Sequence, residues 1–332
     1  MPPCVRPSLT LGVTTETGPG NFRAMVPAFL STVFFSLSAV SANRLAKMLG
    51  GLEANFLRIT LAVLFLAAWA HGFGQGLSGE ALPMFLLSGC VGFGIGDTAL
   101  YQALPRLGSR LSVLLVHCFA APFAAVTEWL WLGTTLTPAQ ICWSLVILGG
   151  VSMALAPGTH LNATRRALLI GTLYGVLAAF GQGFGAVLSR KAYLIAKAAG
   201  EPIDGLTAAY QRILAGWFIA TVFLFLVKHA SKFRFASDLT GELGGSLRIW
   251  KQWRLAWPWI VINALSGPTL GVGCYQWALL TTPTGIVLPI VAIAPLVVIP
   301  FARFVEGEQP SVRSLLGGGI AVAGAVGLAL VR

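Results

Sequence analysis

The chain has 332 residues, of which 56% are hydrophobic and only 10% charged, with 39 glycines and a net charge of +11. A soluble domain carries about 25% charged residues, so too few charges are present to solvate a globular surface. The basic residues lie between apolar runs and form no patch, which argues against a nucleic-acid partner and reads instead as the loop charge of a membrane protein.

In chain order, residues 1–23 are polar and rich in Pro, Thr and Gly, without the apolar core of a signal peptide, and are expected to form a disordered tail. Ten apolar runs follow, at 24–42, 54–70, 82–104, 107–127, 140–156, 168–188, 206–227, 256–279, 285–304 and 315–331. Each is near the roughly 20 residues that cross a bilayer. None shows the alternation of a barrel strand, so helices that satisfy their own backbone are expected. The fold class is an all-α integral membrane protein with ten transmembrane helices. Residues 228–255 are the one long polar connection. Of the five cysteines, Cys90, Cys118, Cys142 and Cys274 fall in apolar runs and no CxxC occurs, so buried thiols are expected rather than disulfides or a metal site.

The runs repeat. Residues 88–122 echo residues 266–295: shifted by 174, Tyr101-Gln102 falls on Tyr275-Gln276, Val113-Leu114 on Val287-Leu288, Gly133 on Gly307 and Gly150 on Gly324. Earlier in the chain Asn43-Arg44 matches Ser189-Arg190 at an offset of 146, and Arg58-Ile59 matches Arg212-Ile213 at 154. These matches define a first five-helix repeat at 24–157 and a second at 166–331, with insertions in two loops of the second. Five is odd, so the second repeat enters the membrane inverted, as in carriers whose central site alternates between the two faces.

Polar residues deep in the apolar runs carry the functional information, because placing them in lipid is expensive. Ser36, Asp97, Tyr101, Gln102, His117, Gln182, Tyr275 and Gln276 are the candidate substrate-binding residues. Asp97 and Tyr101 are four apart and share a helix face. Shifted by 174, Asp97 falls on Gly271 and His117 on Val291, so these titratable groups belong to one repeat only and are the candidates for proton coupling. Asp97 reads equally as an interhelical ion pair, and His117 as a hydrogen-bonded bundle histidine. Glu128 beside Trp129 and Trp131 reads as an interfacial charge, and Arg58 and Arg212 as residues snorkelling to an interface. Gly92, Gly94 and Gly96, with Gly181 and Gly185, read as close helix packing, or as a place where the third helix unwinds. Pro122, Pro289 and Pro295 are candidate kinks.

Ten helices as two five-helix repeats, an arginine early in each second helix, and the AL…P…GS/TGI…AP run resemble the drug/metabolite transporter superfamily, specifically its EamA-type members, over about residues 24–331. The resemblance implies a secondary transporter exporting small metabolites, such as amino acids or drug-like amphipathic solutes, by alternating access at a cavity between the repeats. It implies a multi-pass protein of the bacterial inner membrane, with no cofactor. Gly307-Glu308 fits a Gly-Glu dipeptide common in the family, whereas the first repeat has Gly133-Thr134. HExxH, GxSxG and GxxxxGK[ST] are all missing, so no enzyme is indicated. An uncoupled facilitator and a non-transporting scaffold or lipid-modifying protein are the alternatives. Fourteen basic residues lie on the side of the first connection and six on the other, which places both termini outside the cytoplasm. The resemblance implies the reverse.

Overall fold

A computed structural model describes residues 20–133, 136–155, 165–235, 245–306 and 312–331, and every element among them is helical. Most of the expected tail, the Gly307-Glu308 dipeptide, Thr134 and the middle of the 228–255 connection lie outside the described residues. Eight helical segments are long and apolar enough to cross a membrane: α1 (Met25–Leu49), α2 (Gly51–Gly72), α3 (Leu82–Ser109), α4 (Ser112–Leu132), α6 (Arg165–Ala198), α7 (Gly205–His229), α8 (Trp253–Thr281) and α9 (Thr284–Val305). The other two, α5 (Pro138–Leu155) and α10 (Val312–Leu330), have 18 and 19 residues. At 1.5 Å per residue they rise about 27–29 Å, close to the roughly 30 Å hydrocarbon core.

Helix ends follow backbone chemistry more closely than hydropathy. The α1 helix runs past 42 to Leu49, and α6 runs past 188 to Ala198. Arg44, Lys47, Arg190, Lys191 and Lys197 are good helix formers, so charge does not end these helices. They stop at glycine, with Gly50 at φ 88° and Gly200 at φ 71°. The α3–α4 break falls at Gly108, with φ 78° and ψ 169°. The α8–α9 break falls at Thr282, held extended by the following Pro283. Within α9, winding is interrupted just before Pro295, and Ser36 of α1 donates there to the Ala294 carbonyl at 2.7 Å as well as to Thr32 at 2.7 Å.

Both repeats carry a widened π-helical stretch at the same place, Cys90–Asp97 in α3 and Leu265–Gly271 in α8, equivalent at the offset of 174. The glycines singled out in α3 therefore sit in a non-α turn, and they also permit close packing. A Cβ on Gly181 would lie 2.6 Å from the Gly96 Cα, and one on Gly185 would lie 3.2 Å from the Gly92 Cα.

The pseudo-twofold relation is visible in single contacts. A Cβ on Gly150 of α5 would lie 2.6 Å from the Ala321 nitrogen of α10, and one on Gly324 of α10 would lie 3.0 Å from the Ile147 nitrogen of α5. Residues 150 and 324, and residues 147 and 321, are partners at the same offset of 174, so one contact is made twice in opposite senses. α2 likewise packs on its own counterpart α7, and the pairing of α1 with α8 and α9 reproduces that of α6 with α3 and α4.

On the face carrying the α2–α3 and α6–α7 connections the repeats are tied by polar contacts. Trp69 donates to Asp204 at 3.2 Å, Gln211 to the Gly76 and Ser78 carbonyls at 3.0 and 3.1 Å, the Glu80 amide to Glu201 at 2.9 Å, and Gln75 to the Pro202 carbonyl. Glu128 corrects its reading as an interfacial charge. It is 2% exposed and reaches across the seam from α4 to the first turn of α9, where it accepts from the Thr284 hydroxyl and from the Gly285 amide at 3.2 Å. It supplies the carboxylate that a helix N-terminus favours.

Two stability outcomes are expected. Gly150→Val, which must displace backbone, lowers stability by about 1–3 kcal/mol, whereas Gly149→Val, at a position with open space around its Cβ, stays within about 0.5 kcal/mol. Comparing thermal unfolding midpoints in detergent checks the difference. Glu128→Ala strips buried donors of their acceptor and costs about 1–3 kcal/mol in the same assay.

Candidate functional site

A partly open cavity of about 90 Å³ lies on the seam between the repeats, lined by α1–α4 and α6–α8. One water needs on the order of 10–15 Å³ by this measure, so the space suits several waters or a small solute. Its walls are apolar where Phe35, Phe93, Leu100, Val113, Val116 and Val272 reach it. The polar lining is Ser38, Arg58, Asp97, Tyr101, His117, Gln182, Arg212 and Tyr275. Ala42, Leu104 and Val113 carry the lining from mid-membrane toward the face of the α1–α2 connection, away from the tied face.

Five of the eight candidate residues converge here: Asp97, Tyr101, His117, Gln182 and Tyr275. The other three do not line the cavity. Ser36 is spent on the α1–α9 contact already described. Gln102 lies beside Arg106, which donates to its backbone carbonyl and to its side-chain oxygen, the latter at 3.2 Å. Gln276 is fully buried outside the cavity, with neither amide atom partnered among the described residues.

α2 and α7, which hold none of the eight candidates, contribute one residue each, Arg58 and Arg212. Their reading as snorkelling residues is corrected, since they are 5% and 4% exposed. Each stands seven residues after the first residue of its helix, Gly51 or Gly205, about 10 Å in at 1.5 Å per residue. The signal available in the sequence was the recurrence of the arginine in both copies, where Arg58-Ile59 matches Arg212-Ile213.

Arg58 is held by three residues. It forms an ion pair with Asp97, donates from Nε to Asn55 at 3.1 Å, and lies 4.7 Å from the centre of the Tyr101 ring. Tyr101 donates to Asn263 at 3.0 Å, and the Asn263 amide donates to the Ser38 carbonyl at 2.8 Å and the Ser41 hydroxyl at 2.9 Å. The chain of bonds thus runs through α2, α3, α8 and α1 and crosses the seam. Asn263 was not legible as part of it, because its partners belong to distant helices.

Three other polar groups of the lining are unpartnered. Arg212 Nε, the Tyr275 hydroxyl and His117 Nδ1 are buried without a hydrogen-bond partner among the described residues. The Arg212 guanidinium carbon stands 5.5 Å from the centre of the Phe93 ring. Phe35 lies between the other two, 6.3 Å from the His117 ring and 6.0 Å from the Tyr275 ring. Buried polar groups left in this way are costly unless water or a ligand completes them. Among the described residues, no group of three or more His, Cys, Asp and Glu side chains is placed to hold a metal.

The comparisons with known proteins agree with this architecture. The model of the EamA-like transporter family matches residues 22–156 and again 169–330. An uncharacterized protein of Pseudomonas aeruginosa, PA1977, is 38% identical over 104 residues, 31% of this chain and 35% of that protein. The match thus spans about a third of the relative's length. A solved crystal structure superposes with a TM-score of 0.65 over 92% of this chain and 96% of its own, at 16% identity, and shares the fold. With both repeats matched, the chain belongs to the EamA-like transporter family and is an integral, multi-pass membrane protein.

Proposed function

We propose that the chain is a secondary carrier that moves a small amphipathic metabolite through the seam between its repeats, exporting it across a bacterial inner membrane. The observation that carries this reading is the cavity itself: a membrane-interior space lined by two arginines, a carboxylate, an imidazole and two tyrosines. Polar groups at that depth are maintained at a cost in stability and mark solute paths in membrane proteins. The tied face, with the cavity drawn toward the other face, supports an alternating-access cycle in which one repeat rocks against the other and the contacts from Gln75, Trp69 and Gln211 break and re-form.

Asp97 and His117 both face the cavity and are the candidates for coupling solute movement to protons. The ion pair of Asp97 with Arg58 favours a second reading: a pair that persists through the cycle makes an uncoupled facilitator. The two differ in one measurement.

Purified protein in proteoliposomes is expected to show saturable counterflow with a panel of labelled amino acids and small amphipathic solutes. No counterflow with any of them sinks the carrier reading. For a coupled carrier an imposed proton gradient drives accumulation, and Asp97→Asn abolishes that drive while leaving exchange measurable. A facilitator shows equal exchange with and without the gradient. A cysteine pair at Gln75 and Pro202, when oxidised, is expected to stop counterflow and to release it on reduction, with each single cysteine as control. Unimpaired transport by the cross-linked protein means that this face does not open.

A further inference from the structure

The inverted repeat gives each group around Arg58 a counterpart around Arg212. The offsets of 154 and 174 carry Arg58 onto Arg212 and Tyr101 onto Tyr275, so the guanidinium and the phenol are present twice. The acceptors are not. Asn55, which accepts from the Arg58 Nε, maps onto Ala209; Asp97 maps onto Gly271; and Asn263, which accepts from the Tyr101 hydroxyl, maps onto Gly89. The unpartnered Nε of Arg212 answers to the missing counterpart of Asn55, and the unpartnered hydroxyl of Tyr275 to that of Asn263. The second copy of the network keeps its donors and lacks every acceptor.

From this asymmetry we infer that Arg212 and Tyr275 form a binding site for the carboxylate of an organic monoanion, whose oxygens take the place that Asp97 holds beside Arg58. The inference rests on the carrier reading and gives it a substrate class. Charge fixes the sign. Two arginines and one carboxylate line the cavity, with Arg58 ion-paired to Asp97, so these three side chains together carry one formal positive charge. A guanidinium offers a planar pair of donors matched to a carboxylate, and such charge-assisted bonds are stronger than neutral ones. Phe35, Phe93 and Val272 line the same space and suit an apolar or aromatic body on the anion. Gly92 keeps the approach clear, since a Cβ there would lie 2.9 Å from an Arg212 terminal nitrogen.

The test uses three probes of nearly one shape: benzoate, benzamide and benzamidinium, with charges of minus one, zero and plus one. Binding to the full-length protein in detergent is read from the concentration dependence of its thermal midpoint at constant ionic strength. Benzoate is expected to bind about tenfold or more tighter than benzamide, the worth of a hydrogen bond to a charged group, and benzamidinium weakest. Arg212→Gln is expected to bring benzoate and benzamide within about threefold. Equal affinities in the unaltered protein, a preference for the cation, or no binding by any probe overturns the assignment even if the variant does not fold. Because the readout is binding, its failure is distinct from that of the carrier reading: counterflow of neutral or cationic solutes without a preference for benzoate leaves the carrier and removes the anion site.

Discussion

An arginine remains protonated throughout the cell's pH range, so a guanidinium inside a helix bundle obliges the surrounding sequence to provide counter-charge and acceptors. That obligation organises this molecule. Arg58 draws Asp97 out of α3, Asn55 out of its own helix and the Tyr101 ring onto its face, and Tyr101 then engages Asn263 from the other repeat. Because Asn263 also holds two groups of α1, a single charge placed in α2 fixes four helices and both repeats at the level of the cavity.

The two repeats have kept different things. Far from the cavity, the α5–α10 contact is still the one that two antiparallel copies of a five-helix chain would make across a twofold axis, with glycine and its neighbour exchanged between copies. At the seam the symmetry is broken, and broken in one direction: acceptors stand on one side and small residues on the other. Small residues there also serve packing, since Gly89 lets α3 lie against the Arg212 backbone and Gly271 lies beside the Phe35 ring. Loss of the acceptor and gain of the close approach come from the same residue.

The ten spans and their inverted duplication were legible because bilayer thickness dictates run length and because one offset aligned Tyr-Gln, Val-Leu and glycine positions together. Hydropathy sets the arginines near the membrane surface, because it marks only where an apolar run begins. α2 begins at Gly51, ahead of its apolar run, which places Arg58 deeper than hydropathy implies, whereas α7 begins at Gly205, beside the start of its run, and Arg212 is buried by the close approach of α3 at Gly89. Glu128 was misread for a related reason, as its partners lie 156 and 157 residues away on another helix. Ser36, Gln102 and Gln276 show a further limit: a helix apolar on all sides gives no phase from which to tell a cavity-facing residue from one packed on a neighbour.

The widened turn in α3 explains how one helix serves two neighbours. Before it, Phe85 packs edge-on to Tyr193, and Ser88 bonds Gly185 and Ser189, all on α6. At its end Asp97 addresses α2, and beyond it Tyr101 addresses α8. A residue advances an α-helix by about 100°, so an extra residue held in a wide turn rotates everything downstream by that amount. Removing a single residue between Cys90 and Asp97 would therefore swing the carboxylate off its guanidinium, while the segment kept the same apolar character and the same span of the bilayer.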